Sequence, residues 1–184
     1  MKFRDLKADE IEVRLQSIKV KNGAVTGAIL LLYKNARCDM NILDETVGAE
    51  NWGRDHYECK GNLFCKVGIN VNYDKPDKDD KWVWKSDCGV ESNTDAQKGE
   101  SSDSFKRSCV NWGIGRELYT SPFIFIKPEC IDTYDTKRKD KNGNPIFASN
   151  DKFIVEGIKI ENKRITALAI KNASTKERVF IWQE

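Results

Sequence analysis

Residues 100–119 read ESSDSFKRSCVNWGIGRELY. This stretch predicts a short amphipathic helix with Phe105, Cys109 and Trp112 on one face, at i, i+4 and i+7. Ser101, Ser102 and Asp103 suit an N-cap and first turn. Gly113, just past the apolar stripe, suits a C-cap. Lys106 and Arg107 fall off the stripe, toward solvent or a ligand. Two adjacent cations beside a buried seam fit a site for an anion. An ordinary core helix with two surface charges would show the same pattern, because exposed Lys and Arg are the norm.

Around this helix lies a chain of 184 residues, enough for one domain with a sizeable core. Charged residues make up 33% and hydrophobic residues 39%, the balance of a globular protein rather than a disordered one. No run approaches the roughly 18 apolar residues of a membrane helix. The opening MKFRDLKADE has no apolar signal core, so a cytoplasmic location is expected. The formal net charge is only +2, so a nucleic-acid site must come from local clustering. The six cysteines form no CxxC pair, and reduced thiols are expected. His56, Cys59 and Cys65 are close in sequence, but their spacing fits no common zinc finger.

In chain order, residues 8–20 read as a helix with Ile11, Leu15 and Ile18 on one face and Arg14 just off it. Asn22-Gly23 is a turn, and residues 25–33, VTGAILLLY, are a buried strand ending on Tyr33, followed by Lys34. Ala36, Met40, Leu43 and Val47 mark a helix closed by Gly48. Residues 52–59, the turn Lys60-Gly61-Asn62, residues 63–73 and residues 82–90 read as a three-stranded meander. In its second strand, Cys65, Val67, Ile69 and Val71 form the apolar face, opposite Phe64, Lys66, Gly68 and Asn70. In its third strand, Trp82, Trp84 and Ser86 share one face and Val83, Lys85 and Asp87 the other. The fold class predicted is α+β: an antiparallel three-stranded meander packed with helices, plus a C-terminal β-meander. The expected organisation is a core over residues 1–127, a polar connection over 128–150, and the meander over 151–184. Lys137, Arg138, Lys139 and Lys141 cluster in that connection, which reads as solvated.

Catalytic motifs are missing. There is one histidine, and no GxSxG, HExxH or GxxxxGK[ST]. No cofactor and no metal are expected. Asp87 and Glu91 end a strand, Asp77 follows Pro76, and Glu161, in an ExK spacing with Lys163, falls in a turn far from them, so no Mg²⁺ cluster is evident. Single-strand binding needs cations along the backbone and rings that stack bases. Tyr33, Trp52, Tyr57, Trp82, Trp84 and Trp112 supply rings. Lys34, Arg37, Arg54, Lys60, Lys66, Lys85, Lys106 and Arg107 supply cations.

Three segments carry a family resemblance. Residues 33–52, YKNARCDMNILDETVGAENW, residues 82–92, WVWKSDCGVES with its D-x-G ending, and residues 100–119 resemble the single-strand annealing proteins of the Rad-fifty-two superfamily, phage Sak type. The match covers residues 10–120, and its most specific piece is the last. The resemblance implies a β-β-β-α core, assembly of copies into rings or filaments, and single-stranded DNA held in a basic groove. It implies ATP-independent strand annealing in phage recombination and repair, within a bacterial host cell, and no enzymatic activity. By position, Lys106 and Arg107 match the paired cations on the DNA backbone, Tyr33 an aromatic at the groove, and Arg14 a groove arginine. Lys34 and Lys85 complete the candidate DNA-binding set. A further groove cation of eukaryotic members falls on Val110 here. Expected partners are single-stranded DNA and copies of the chain, with a single-strand binding protein or an exonuclease as candidates. The alternatives are a metal-dependent nuclease using Asp87 and an accessory protein that binds no DNA. Lys106 and Arg107 pointing away from any continuous positive channel, or locked in ion pairs within the protomer, would end the case for this DNA grip.

Overall fold

The computed structural model describes residues 1–90 and 96–184. Among them the order is β1 (Glu12–Lys21), β2 (Ala24–Tyr33), α1 (Ala36–Val47), β3 (Trp52–Cys59), β4 (Asn62–Asn70), β5 (Trp82–Cys88), α2 (Ala96–Trp112), β6 (Ile124–Ile126), β7 (Tyr134–Lys139), β8 (Pro145–Ala148), β9 (Phe153–Glu161), β10 (Arg164–Asn172) and β11 (Arg178–Gln183). The fold is α+β, with antiparallel pairing throughout. Two compact units divide the chain: Met1–Asp5 with Asn35–Arg116, and Leu6–Lys34 with Glu117–Glu184. These units cut across the boundary expected at residue 127. No helix among the described residues is long and apolar enough to cross a membrane.

The first unit holds α1, α2 and the sheet β3-β4-β5. The side chain of Asn35 caps α1 by accepting the Cys38 N–H at 3.0 Å. Gly48 ends it at φ 85°, its N–H donating to the Asp44 carbonyl. Lys60 and Gly61, at φ 53° and 75°, make the two-residue turn between β3 and β4. Cys65, Val67 and Ile69 of the central strand are fully buried. On that same face α2 presents Phe105 and Cys109, also fully buried. Ser104 and Ser108, each just before one of these apolar positions, are buried as well, and small side chains let the helix approach closely. Ser108 donates to the Cys65 carbonyl at 2.6 Å, and the Trp112 indole N–H donates to the Val67 carbonyl at 3.0 Å.

The helix begins five residues before the expected cap. Ser101, Ser102 and Asp103 therefore lie inside α2, not at its start. The side chains of Ser101 and Asp103 serve as partners across the unit. Ser101 contacts His56, and Asp103 accepts the Val90 N–H at 3.2 Å. Gly89, the glycine of the D-x-G ending, shows why the strand end is built so. A Cβ there would fall 2.2 Å from the Glu100 carbonyl oxygen of the helix backbone. Glu91 and Ser92, which the resemblance and the carboxylate argument also used, lie outside the described residues.

The second unit is built on the sheet β11-β10-β9-β1-β2-β6. Its edge strands β6 and β11 approach each other, so the sheet curls around Leu30, Ile124, Ile126, Ile165, Leu168 and Ile170. The helix expected over residues 8–20 is instead strand β1 after a short 3₁₀ turn at Ala8–Glu10. The register slips between Leu15 and Ser17, leaving Gln16 as a bulge against β2. That extra residue converts period-two alternation into a spacing of three between Leu15 and Ile18, which mimics a helix. The polar connection also proves structured: β7 and β8 form a hairpin bearing the exposed Lys137, Arg138 and Lys139. The C-terminal meander is present as β9-β10-β11 and shares its sheet with β1 and β2.

Glu117 is a buried charge of this unit. Its carboxylate is fully buried, accepts the Leu6 N–H at 2.8 Å, and lies 3.8 Å from the Lys163 ammonium.

All six cysteines are unbridged. Burial pushes the Cys65 thiol up to about 11. The group therefore supports the folded state fully below its ordinary value of 9.0, and that support is lost as pH rises through about 11. A thiol reagent at neutral pH is expected to label exposed Cys59 quickly and Cys65 only after denaturation. Equal rates at the two sites would contradict the register of β4.

Candidate nucleic-acid interface

Lys85, Lys106 and Arg107 belong to the first unit and lie together along β5 and α2. Arg14, Tyr33 and Lys34 belong to the second.

β5 is an outermost strand of its sheet, with α2 packed on one face. Strand alternation turns Lys85 and Asp87 toward the helix and Trp82, Trp84 and Ser86 away from it. The Lys85 ammonium lies 4.5 Å from the centre of the Trp112 ring and donates to the Asn111 carbonyl at 2.8 Å. Asn111, which the sequence did not single out, donates to the Ser86 carbonyl at 3.1 Å and reaches Asp87 at 3.4 Å. Arg107 follows one turn earlier, its Nε 3.2 Å from Asp87 Oδ1. Lys106 lies 3.8 Å from Asp103 Oδ1, with its side chain 20% exposed. The result is a ledge with three cations and two carboxylates.

Two unengaged cations, the simplest expectation for Lys106 and Arg107, are therefore not what the helix presents. Both are ion-paired within the unit, the outcome named above as ending the case for the grip as first read. Asp87 stands twenty residues from Arg107 in the chain, and only the packing of β5 on α2 brings them together. Nor is Asp87 an open metal ligand. It also accepts the Cys88 N–H at 2.8 Å. Among the described residues, no three His, Cys, Asp or Glu side chains are grouped to hold a metal ion.

In the second unit, Arg14 sits on a strand rather than a helix. Its guanidinium lies 4.8 Å from the centre of the Tyr33 ring and pairs with Glu12. The aromatic and the arginine expected at one groove are thus neighbours, but one face of the ring is taken. Lys34 is corrected: only 5% of it is exposed, so it cannot meet a polyanion in solution.

The candidate rings also separate. Trp52 and Trp112 lie between the sheet and α2: Trp52 is 6.1 Å from Phe105, and Trp112, on α2 itself, faces β4. Tyr57, Trp82 and Trp84 are exposed, on the face away from α2. The alternation in WVWK was the available signal for this split. Compared with family models, with curated proteins and with solved structures, the chain finds no match in any of the three.

Proposed function

We propose that this chain binds single-stranded DNA and anneals complementary strands without ATP, working as an assembly of identical copies in phage-type recombination and repair. The observation that carries the reading is the placing of Lys85 and Arg107 where β5 meets α2, with Lys106 next to Arg107 on the helix. The β3-β4-β5-α2 arrangement is also of the kind that the resemblance implies.

The ion pairs set the terms of binding rather than forbid it. The Asp87 and Arg107 side chains are 27% and 42% exposed, and a pair so open to water contributes under about 1 kcal/mol. A phosphate offers the planar guanidinium two oxygens and a charge-assisted, bidentate contact. Exchange of a carboxylate for a phosphate is therefore cheap, and the carboxylate holds the cation in position beforehand. Each copy contributes few cations, and an assembly repeats them along the strand. Annealing itself is downhill, because pairing and stacking of the two strands supply the free energy.

The test is a salt titration of labelled oligo-dT binding. Lys106→Ala with Arg107→Ala is expected to lower affinity at least about tenfold and to reduce the log–log salt slope by about 1.4, two contacts at about 0.7 each. Asp87→Asn, which removes the carboxylate charge beside Arg107, is expected to raise affinity by up to about fivefold. A double variant that binds like the parent would remove the ledge as the site, and so would weaker binding by Asp87→Asn. Light scattering with and without oligo-dT checks assembly. A monomer that ignores the oligonucleotide at low salt fits the accessory reading instead. Mg²⁺-dependent cleavage lost on Asp87→Ala fits a nuclease.

A further inference from the structure

We infer that the face of the meander turned away from α2 is a stacking surface for unpaired nucleobases, with Trp84 as its platform. The inference rests on the single-strand reading above and adds to it where the bases go.

The register fixes this face. Across the three strands its rungs are Tyr57, Phe64 and Cys88, then Asp55, Lys66 and Ser86, then Gly53, Gly68 and Trp84. The Trp84 indole lies down on Gly68. A Cβ at Gly68 would fall 2.6 Å from three of its ring carbons, so any larger residue would lift the ring. Nothing lies within 4 Å of a Cβ built at Gly53, the other glycine of that rung. One face of the indole thus rests on backbone, and Trp84 remains 47% exposed. Trp82 continues the surface, its ring 6.0 Å away and tilted by 25°. Tyr57 stacks on Phe64 at 5.5 Å, two rungs along the same face from Trp84.

Large rings left in water call for a partner. A ring lying flat offers its π-face, which suits a planar partner, and every nucleobase has one. The surrounding charges suit a polyanion. The Lys66 ammonium is 5.4 Å from the centre of the Trp84 ring, and exposed Lys81 and half-buried Lys85 bracket the two tryptophans along the chain. The acid on the same rung as Lys66 is Asp55, which pairs with it at 3.2 Å in an exposed contact. Continuity with the cation ledge follows from strand geometry. Trp84 and Lys85 are consecutive in an outermost strand, so they project to its two sides. A single strand running along β5 would meet rings on one side and cations on the other.

The experiment compares an oligo-dT with an abasic oligodeoxyribose phosphate of equal length, which keeps the phosphates and lacks the bases. The whole chain is expected to prefer oligo-dT at least about tenfold. Trp84→Ala should cost oligo-dT about fivefold or more while leaving the abasic affinity in place. Trp84→Phe, which keeps a ring, should retain most of the preference and guards against misfolding. Lys106→Ala with Arg107→Ala should weaken both ligands equally. An unchanged preference in Trp84→Ala overturns the platform, even where the cation variant still fails to bind. Loss of assembly in Trp84→Ala with the preference intact also overturns it and assigns the face to a second copy. Full binding by the cation variant, with the preference lost in Trp84→Ala, sinks the ledge and leaves the platform standing.

Discussion

Phe105→Ala is expected to lower the stability of the first unit by about 3–5 kcal/mol. The ring is fully buried at the middle of α2. It lies against Trp52, and the Arg54 guanidinium sits 4.8 Å from its centre. Its loss leaves a cavity that β3 and β4, held in their ladder, cannot collapse to fill. It also strips Arg54 of its aromatic partner. Lys106 and Arg107 follow Phe105 directly in the helix, so their placement loosens with it. Urea unfolding followed by circular dichroism measures the stability loss, and oligo-dT affinity should fall in parallel. Phe105→Leu, which preserves most of the volume, should lose clearly less. A loss under about 1 kcal/mol for the alanine variant would show that the ring is not the wedge between helix and sheet.

Glu117→Ala should cost the second unit about 1–3 kcal/mol, because it removes the acceptor of a buried N–H, while Lys163, with 27% of its side chain exposed, stays open to water. The carboxylate holds the Leu6 N–H, and its loss leaves that donor unmatched and the Lys163 ammonium without its counter-ion at 3.8 Å. Lys163 occupies the turn between β9 and β10 at φ 62°, so the change reaches the C-terminal meander. Glu117→Gln keeps an acceptor for Leu6 and removes only the charge, so it should cost less than alanine. Denaturant midpoints for the two variants decide this. Equal and small shifts would mean that the carboxylate is incidental to the unit. The sequence offered no hint of this residue, because a glutamate in a polar turn looks like any solvated one.

Local signals decided much of the first unit. Lys60-Gly61 fixes a hairpin by the left-handed backbone it permits, and period-two alternation then assigns every side chain of β4 to a face. The Phe105-Cys109-Trp112 stripe placed α2 on that sheet, since one stripe of a helix must be buried. At β1 the same reasoning failed, because a single bulged residue, Gln16, changes the apparent period.

The sequence by itself determined the meander, both helices, the turn positions and the division of Trp82 and Trp84 from Lys85, because each depends on neighbours a few residues apart. Only the tertiary structure decided that Asp87 meets Arg107, that Gly89 passes against the backbone of α2, that Glu117 is buried, and that Trp84 lies flat on Gly68. Those pairings join residues brought together by packing, and packing geometry is not written in the spacing of either partner alone.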